Sequence, residues 1–290
     1  MTLKRTIKFS PLHIACQTNQ LSKVAALLKA GTDPNVLGPH RITPLMEAAS
    51  RGFGKIAGML LAYGANVNLE TTNKETALAY AISNNHLEIS KAILKAGASA
   101  NCHIKPGVKM SALTMAAGRG YVSCVKLLLT HGANVEGWKE LDKPIALAAR
   151  NKHLDVVRVL LEAGANPNSQ GIAGNTPLST FAANGLLEGV KLLFARKADV
   201  NVRDSYGMTA FIWACHNGHL KVAKFLLENR ADPLVCDTLN PMKNQGDNAL
   251  LWAAKRHHVD LVKWLIQKEK RFPISGVRQA KTILSELGFS

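Results

Sequence analysis

Adjacent histidines and cysteines are the residues with the most obvious chemical potential, because their side chains bind zinc and serve as nucleophiles or proton carriers. Cys102 adjoins His103, and His257 adjoins His258. Neither pair is accompanied by further ligands at metal-site spacing, and the five cysteines form no C-x-x-C pair. We therefore expect no metal site, a solvated turn at His257-His258, and reduced cysteines that pack inside the protein.

The sequence lacks the short motifs of the common enzyme classes. It contains no G-x-x-x-x-G-K-[ST], no G-x-S-x-G and no H-E-x-x-H. Asp and Glu number only 20 together and fall mostly on the polar faces of predicted helices. We therefore predict that the protein is not an enzyme, with no catalytic residue and no cofactor.

Positive charge is the strongest chemical signal in the composition. Lys and Arg number 36, which gives a formal net charge of +16 at pH 7. Such a chain attracts polyanions, and net charge alone does not choose among nucleic acid, acidic lipid and an acidic protein.

The elements that position these side chains form a repeat of about thirty-three residues. A motif [TS]-[PA]-L-x-x-A-A is followed by a short turn, a second apolar run and a closing G-A-N-x-N. The second motif position falls at Pro11, Pro44, Ala77, Ala112, Pro144, Pro177, Ala210 and Ala249. A fixed period of this size predicts a stacked architecture in which each repeat buries its apolar face against its neighbours.

The repeat from 41 to 68 shows why each unit should be a pair of helices. Thr43 is a good N-cap and Pro44 suits the first helical position. Gly52 permits a turn into a second, antiparallel helix, and Gly64 ends that helix because a left-handed residue is least costly for glycine. We call the two helices inner and outer, and the extended loop that leads to the next repeat the finger.

The later repeats depart from this pattern. Lys143 replaces the cap of the fifth inner helix, which predicts a weaker start. Lys197, Arg230 and Glu269 replace the closing glycine of the last three repeats. If these residues are left-handed, each costs about 1–2 kcal/mol, so we expect the C-terminal third to be the looser part of the stack.

The motif Thr43-Pro44-Leu45 to Ala48-Ala49, with Gly64-Ala65-Asn66-Val67-Asn68, resembles the ankyrin repeat, and the resemblance extends from about Phe9 to Gln267. It implies an all-α solenoid of eight helix-turn-helix units with β-hairpin loops and a non-catalytic protein-binding role. We assign the repeat domain to 1–273 and a C-terminal capping helix to 274–290, where the stripe of Val277, Ala280 and Leu284 is amphipathic. The alternative for this helix is a role in binding a partner.

In the geometry that the resemblance implies, the ends of the inner helices and the finger tips line a concave groove. Most candidates there are cationic, and Trp138, Tyr206 and Met208, together with Ile172, would supply apolar contacts. We therefore predict a positive groove that binds an acidic or mixed-charge segment of another protein. The candidate residues are His40, Arg41, Arg51, Lys74, Lys109, Arg119, Trp138, Lys139, Arg150, Tyr206, Met208, His216, Lys255 and Arg256.

Two other sets of residues follow the repeat. A row of cations occupies one position of six outer helices, and it is either a solvated face or a site for nucleic acid or anionic membrane. Its members are Lys91, Lys126, Arg158, Lys191, Lys224 and Lys263. We assign Trp213 and Trp252 to the core leucine position of their inner helices, as packing residues.

The expected protein is a monomer in a reducing compartment, the cytoplasm or the nucleus. Free-standing proteins of this family occur in eukaryotes and in intracellular bacteria that export them. An exported effector that binds a host protein in the host cytosol therefore stays open beside a scaffold of the cell that makes it.

Overall fold

The computed structural model describes residues 8–104, 110–138, 143–239, 246–286 and 288. It comprises two compact units, Met1–Pro144 and Ile145–Ser290, which we call the N-terminal and C-terminal units. Within the described helices, none has the length and hydropathy needed to cross a bilayer.

The N-terminal unit consists of four helix pairs. Inner helices stack on inner helices and outer helices on outer helices, while each pair packs together. The motif leucines Leu12, Leu45, Leu78 and Leu113 are buried between them. The pairs are α1 (Pro11–Gln17) with α2 (Leu21–Lys29), α3 (Pro44–Arg51) with α4 (Gly54–Ala62), α5 (Ala77–Ser83) with α6 (Leu87–Lys95), and α7 (Ala112–Gly118) with α8 (Val122–Thr130).

The C-terminal unit repeats this arrangement. Its inner helices α11, α13 and α15 stack in order, and α17 packs against α15 and α16 with Ala280 and Leu284 buried. The helices are α9 (Pro144–Arg150), α10 (Leu154–Glu162), α11 (Pro177–Ala183), α12 (Leu187–Ala195), α13 (Ala210–His216), α14 (Leu220–Glu228), α15 (Ala249–Lys255), α16 (Val259–Lys268) and α17 (Ile274–Glu286). The predicted solenoid of helix pairs is therefore confirmed, and a helix is present where a C-terminal one was predicted.

The predicted helix ends are mostly confirmed. The Thr43 hydroxyl accepts the N–H of Met46 at 3.2 Å, and Gly52 and Gly64 have φ of +79° and +82°. Lys197 and Arg230 adopt the left-handed conformation that the sequence suggested, at φ +61° and +70°. The condition is not met at Glu269, which is extended at φ −108°. Its carboxylate accepts the N–H of Arg271, two residues further along the chain.

The fingers are mainly tight turns, and paired strands occur in the finger between the third and fourth repeats. There β1 (His103–Ile104) pairs antiparallel with β2 (Met110–Ser111). Backbone bonds also tie neighbouring fingers together within each unit. The N–H of Thr72 donates to the carbonyl of His40 at 2.9 Å, and that of Thr238 donates to the carbonyl of Tyr206 at 2.8 Å.

Asparagines of the closing G-A-N-x-N link successive repeats. The Asn35 side chain donates to the carbonyl of Gly64 and accepts the N–H of Asn66 at 2.7 Å. In the C-terminal unit, Asn201 bridges Arg230 and Asp232 in the same way. One amide side chain satisfies a donor and an acceptor of the next repeat, which explains why asparagine recurs at this place.

In one repeat the inner helix has a large residue where other repeats have a small one, and the outer helix has a small residue where most have a large one. Phe181 replaces the first alanine of the A-A pair and is fully buried. Gly189 of the outer helix lies opposite, where a Cβ would be 2.3 Å from the Phe181 ring. At the place of Gly189, six of the other repeats have Ile56, Ile89, Cys124, Val156, Val222 and Leu261. The core volume is thus kept while its source moves from the outer helix to the inner one.

Candidate protein-interaction surface

In three repeats the fifth motif position, the residue before the A-A pair, bonds to a finger residue. Tyr80 donates its hydroxyl to Glu75 at 3.1 Å. The indole N–H of Trp213 donates to Asp204 at 2.7 Å, and that of Trp252 donates to Asp237 at 2.6 Å. The fifth-position side chains of these inner helices and the finger residues that they contact therefore share one face, and we call it the inner surface of each unit.

The inner surface of the N-terminal unit carries an acid that the predicted positive groove did not include. Glu47 occupies a fifth motif position, and its Oε2 lies 3.4 Å from Nε of Arg51. Its Oε1 accepts a bond from Gln17 at 2.8 Å. Arg51 is exposed as predicted, but its charge is already paired with Glu47.

The other candidates of this unit lie mainly in its fingers. His40 and Arg41 are exposed with φ of +55° and +62°, and the Arg41 side chain donates to the carbonyl of Glu70. Lys74 is paired with the Glu70 carboxylate at 3.1 Å. Arg119 is exposed at the end of its inner helix. Lys109 and Lys139 lie outside the described residues.

Trp138 is half-buried, because its ring packs against His103 with the centroids 4.0 Å apart. Part of the Trp138 ring is therefore covered by its own unit and is not available to a partner.

In the C-terminal unit the assignment of Trp213 and Trp252 to the core is wrong. The core leucine position of α13 and α15 holds Phe211 and Leu250, both fully buried. The tryptophans lie two residues further along, which turns them about 200° around a helix of 3.6 residues per turn. They are half-buried on the inner surface.

Asp204 and Asp237 fix the orientation of these indoles. One oxygen of Asp204 accepts the N–H groups of Tyr206 and Met208, and the other accepts Trp213. Asp237 likewise accepts the backbone N–H of Leu239 with one oxygen and the indole N–H of Trp252 with the other. Each finger turn therefore forms the mount for one tryptophan.

His216 lies between the two indoles, and we call Trp213, His216 and Trp252 the aromatic ladder. Its ring centroid is 5.4 Å from that of Trp213 and 4.7 Å from that of Trp252. Lys255 and Arg256 lie over the Trp252 ring, at 5.7 and 5.9 Å from its centroid. Three rings in edge-on and tilted contact and two cations therefore lie within one small area.

Hydrogen bonds hold His216 in one neutral form. The Asn217 amide donates to the carbonyl of Ala183, so its oxygen is free to accept Nδ1–H of His216 at 2.6 Å. Nε2 then accepts the guanidinium of Arg256 at 2.9 and 3.2 Å. Burial lowers the pKa of His216, and the charges of Arg256 and His258 act in the same direction.

The remaining candidates of this unit differ in exposure. Tyr206 is 43% exposed, and Arg150 is exposed at the end of α9. Lys255 is half-buried and ion-paired with Asp247. The prediction of Met208 as a finger-tip contact is wrong, because it is 1% exposed and packs beneath its finger.

The solvated turn predicted at His257-His258 is partly wrong. His257 is exposed, but the His258 ring donates to the carbonyl of His216 at 3.0 Å. His86 and His219 make the same bond to the preceding repeat. These histidines are therefore structural links between repeats.

Comparison with known proteins now decides the family. Models of the ankyrin repeats match residues 12–104, 100–171 and 170–237, and a further ankyrin-repeat model matches 213–266. The chain belongs to the ankyrin repeat family. Ankyrin repeats are general protein–protein interaction modules, and proteins built from them are generally non-catalytic.

Individual ankyrin-repeat proteins resemble the chain over part of their length. The crystal structure of the human ASB11 ankyrin repeat domain is 28% identical with a TM-score of 0.65, and the match covers 78% of this chain and 100% of that domain. The mouse B-cell lymphoma 3 protein homolog is 30% identical over 51% of this chain and 34% of its own length. The human transient receptor potential cation channel subfamily A member 1 is 29% identical over 54% of this chain and 15% of its own length. The chain thus spans at most about a third of these two relatives.

The cysteines of this ankyrin-repeat chain are free thiols, and burial makes the inner ones unreactive. All five are free, and burial raises the pKa of Cys16 to about 12 and that of Cys102 to about 11. Thiols of this kind are poor nucleophiles. Across the described ranges, no group of three His, Cys, Asp or Glu side chains could hold a metal.

The row of cations on the outer helices is partly neutralised. Lys91 pairs with Glu88 at 2.7 Å and Lys191 pairs with Glu188 at 3.1 Å. Lys224 lies over the ring of Trp264. Glu88 and Glu188 reduce the net charge that the row presents to a polyanion.

Sequence reasoning missed Glu47, Asp204, Asp237 and the exposed faces of the two tryptophans. A signal was present in the motif itself, because the fifth position falls on the opposite side of the helix from the third. The finger aspartates gave no comparable signal, since their partners lie on the following helix.

Proposed function

We propose that the protein acts as a non-catalytic interaction module that binds an acidic or mixed-charge segment of a partner on the inner surface of its units. It would act by occupancy, as a scaffold or by sequestering or delivering the partner. This mode is the same for a partner of its own cell and, for an exported effector, for a host protein.

The observation that carries this proposal is the distribution of unpaired cations on the inner surface. Arg119 and Arg256 are exposed at equivalent places, two residues after the A-A pair. For the described residues, no carboxylate lies within salt-bridge distance of either guanidinium. A carboxylate from a partner would supply the missing counter-ion and form a charge-assisted hydrogen bond.

The test compares two double variants with the same change in net charge. Arg119→Glu with Arg256→Glu reverses charge on the inner surface, whereas Lys126→Glu with Lys263→Glu reverses it on exposed outer helices. The partner would be captured from cytosol with each immobilised protein and identified by quantitative mass spectrometry. We expect the first variant to lose the partners that the wild type and the second variant retain.

Equal loss in both double variants would contradict the proposal, because it would indicate attraction by net charge alone. A salt titration against generic DNA and anionic liposomes measures that alternative directly. Binding through the basic surface as a whole would weaken steeply with salt and show little preference for sequence.

A further inference from the structure

The aromatic ladder is a set of side chains that the stack itself does not require. Phe211 and Leu250 already fill the core places of α13 and α15. Trp213 and Trp252 leave part of their rings in solvent on the inner surface. Tryptophans placed in this way are typical of the anchors that dominate the energy of an interface.

The ladder is also fixed before any partner arrives. Asp204 and Asp237 hold the two indole N–H groups, and His216 fills the space between the rings. Binding would therefore immobilise few further side chains, which lowers the entropic cost of association.

Among the described residues, the Arg256 guanidinium beside the ladder has no acidic partner. Arg256 donates to the neutral ring of His216 and lies over Trp252, whereas neighbouring Lys255 is neutralised by Asp247. A shallow depression of about 280 Å³ adjoins it, lined by His216, Asn217, Arg256 and His258. A guanidinium presents paired donors that match the two oxygens of a carboxylate.

We propose that the aromatic ladder and Arg256 bind a short segment of a partner protein in which a large apolar side chain lies next to a carboxylate. The apolar side chain packs on the ladder, and the carboxylate enters the depression and binds Arg256. This inference rests on the proposed function and names the chemistry of the segment and the place where it docks.

A protein segment fits this site better than a nucleic acid does. Single-stranded nucleic acid requires free ring faces for successive bases and a run of cations for successive phosphates. Here the rings pack against one another edge-on or tilted, with His216 between the indoles. One guanidinium lacks a counter-ion among the described residues of the site.

The N-terminal unit shows the same motif place without an aromatic ladder. Arg119 occupies the same motif place as Arg256, but the fifth motif positions around it are Tyr80, bonded to Glu75, and Met115, which is 8% exposed. It therefore has an equivalent cation without a ladder.

The experiment selects binders to the full-length protein from a phage-displayed library of random dodecapeptides. We expect the enriched peptides to carry Phe, Trp, Leu or Met next to Asp or Glu. Their affinity, measured by fluorescence anisotropy, should fall at least about tenfold in Arg256→Glu, which corresponds to about 1.4 kcal/mol. It should stay unchanged in Lys263→Glu, which makes the same change in net charge on an exposed outer helix of the same unit.

A second variant separates binding from folding. Trp252→Phe keeps a ring but removes the bond to Asp237, so it should weaken the same peptides while the circular dichroism spectrum stays that of the folded protein. Three results would overturn the inference: a library that yields no binder, a consensus without an acid next to an apolar residue, or equal losses of affinity in Lys263→Glu and Arg256→Glu. Displacement of the peptides by poly-uridine with a tighter affinity would overturn it in favour of nucleic acid.

Failure of the inference can be told apart from failure of the proposed function. If captured partners depend on the inner-surface arginines while selected peptides ignore Arg256 and Trp252, the interaction role stands and the ladder is not its anchor. If captured partners also ignore the inner-surface arginines, the proposed function itself fails.

Discussion

The two units follow one repeat pattern but use its variable places differently. In the N-terminal unit every outer helix closes on a glycine, and the acid at a fifth motif position, Glu47, is matched by Arg51. In the C-terminal unit two closing places hold left-handed Lys197 and Arg230, and two fifth positions hold tryptophan. Departures from the motif therefore mark where a stacked protein acquires a distinct surface, at some cost to the stack.

The largest effect on stability is expected at Phe181 and Gly189 of the C-terminal unit. Phe181→Ala should lower the free energy of unfolding by about 3–5 kcal/mol, because it leaves a cavity that Gly189 cannot fill. Gly189→Val alone should also destabilise, since a Cβ there meets the Phe181 ring. The double variant restores the alanine and β-branched pair of other repeats and should regain much of the loss in urea denaturation.

The corresponding change in the N-terminal unit sharpens this comparison. Ala81→Phe places a ring where Ile89 already fills the outer helix, so it should destabilise through overpacking. If Phe181→Ala with Gly189→Val is no more stable than the less stable of the two single variants, the two residues are not a compensating pair.

The next effect concerns the closing residues. Lys197→Gly and Arg230→Gly should each raise the free energy of unfolding by about 1 kcal/mol, because glycine has no Cβ to strain the left-handed conformation. Glu269→Gly is the matched control, since Glu269 is extended and should gain nothing. Thermal melting of the three variants measures this, and an equal shift in all of them would argue against backbone strain as the cause.

A pH effect should appear in both units, at two histidines held in opposite neutral forms. His13 is buried, with Nε2 donating to the carbonyl of Ile42 and Nδ1 accepting from Ser10. Burial lowers its pKa, and the bond to the Ile42 carbonyl and then the charge of Glu47 oppose only part of this effect. Because the pKa of His216 is also lowered, the unfolded chain binds more protons below about pH 6.5, and stability is lost as the pH falls.

The measurement is the free energy of unfolding of wild type and His13→Gln between neutral and mildly acidic pH. Their difference should shrink on acidification, because glutamine does not titrate. A difference that grows as the pH falls would mean that His13 is stabilised by protonation.

The smallest effect is expected on the outer helices. Lys91→Ala and Lys191→Ala each remove one exposed ion pair three residues apart. Each should change the free energy of unfolding by less than about 0.5 kcal/mol, equally in the two units. A larger loss, measured by urea denaturation, would give the outer row a structural role that its exposure does not suggest.

The sequence by itself determined the repeat, the helix starts at residues such as Thr43, and the left-handed closings at Gly64 and even at Lys197. These features depend on physics within a few residues, namely capping bonds, missing donors and backbone sterics. The spacing of apolar residues within each repeat likewise predicted the stacking of helix pairs.

Only the tertiary structure decided what the inner surface presents. The bond between His216 and Arg256 joins residues forty positions apart, and Gln17 reaches Glu47 across thirty. Such pairs depend on how one repeat seats on the next, because a rotation of an inner helix by one residue would move each side chain to another face. The fifth motif position already placed the tryptophans opposite the core leucine, but only the tertiary structure decided that aspartates of their fingers hold the indoles.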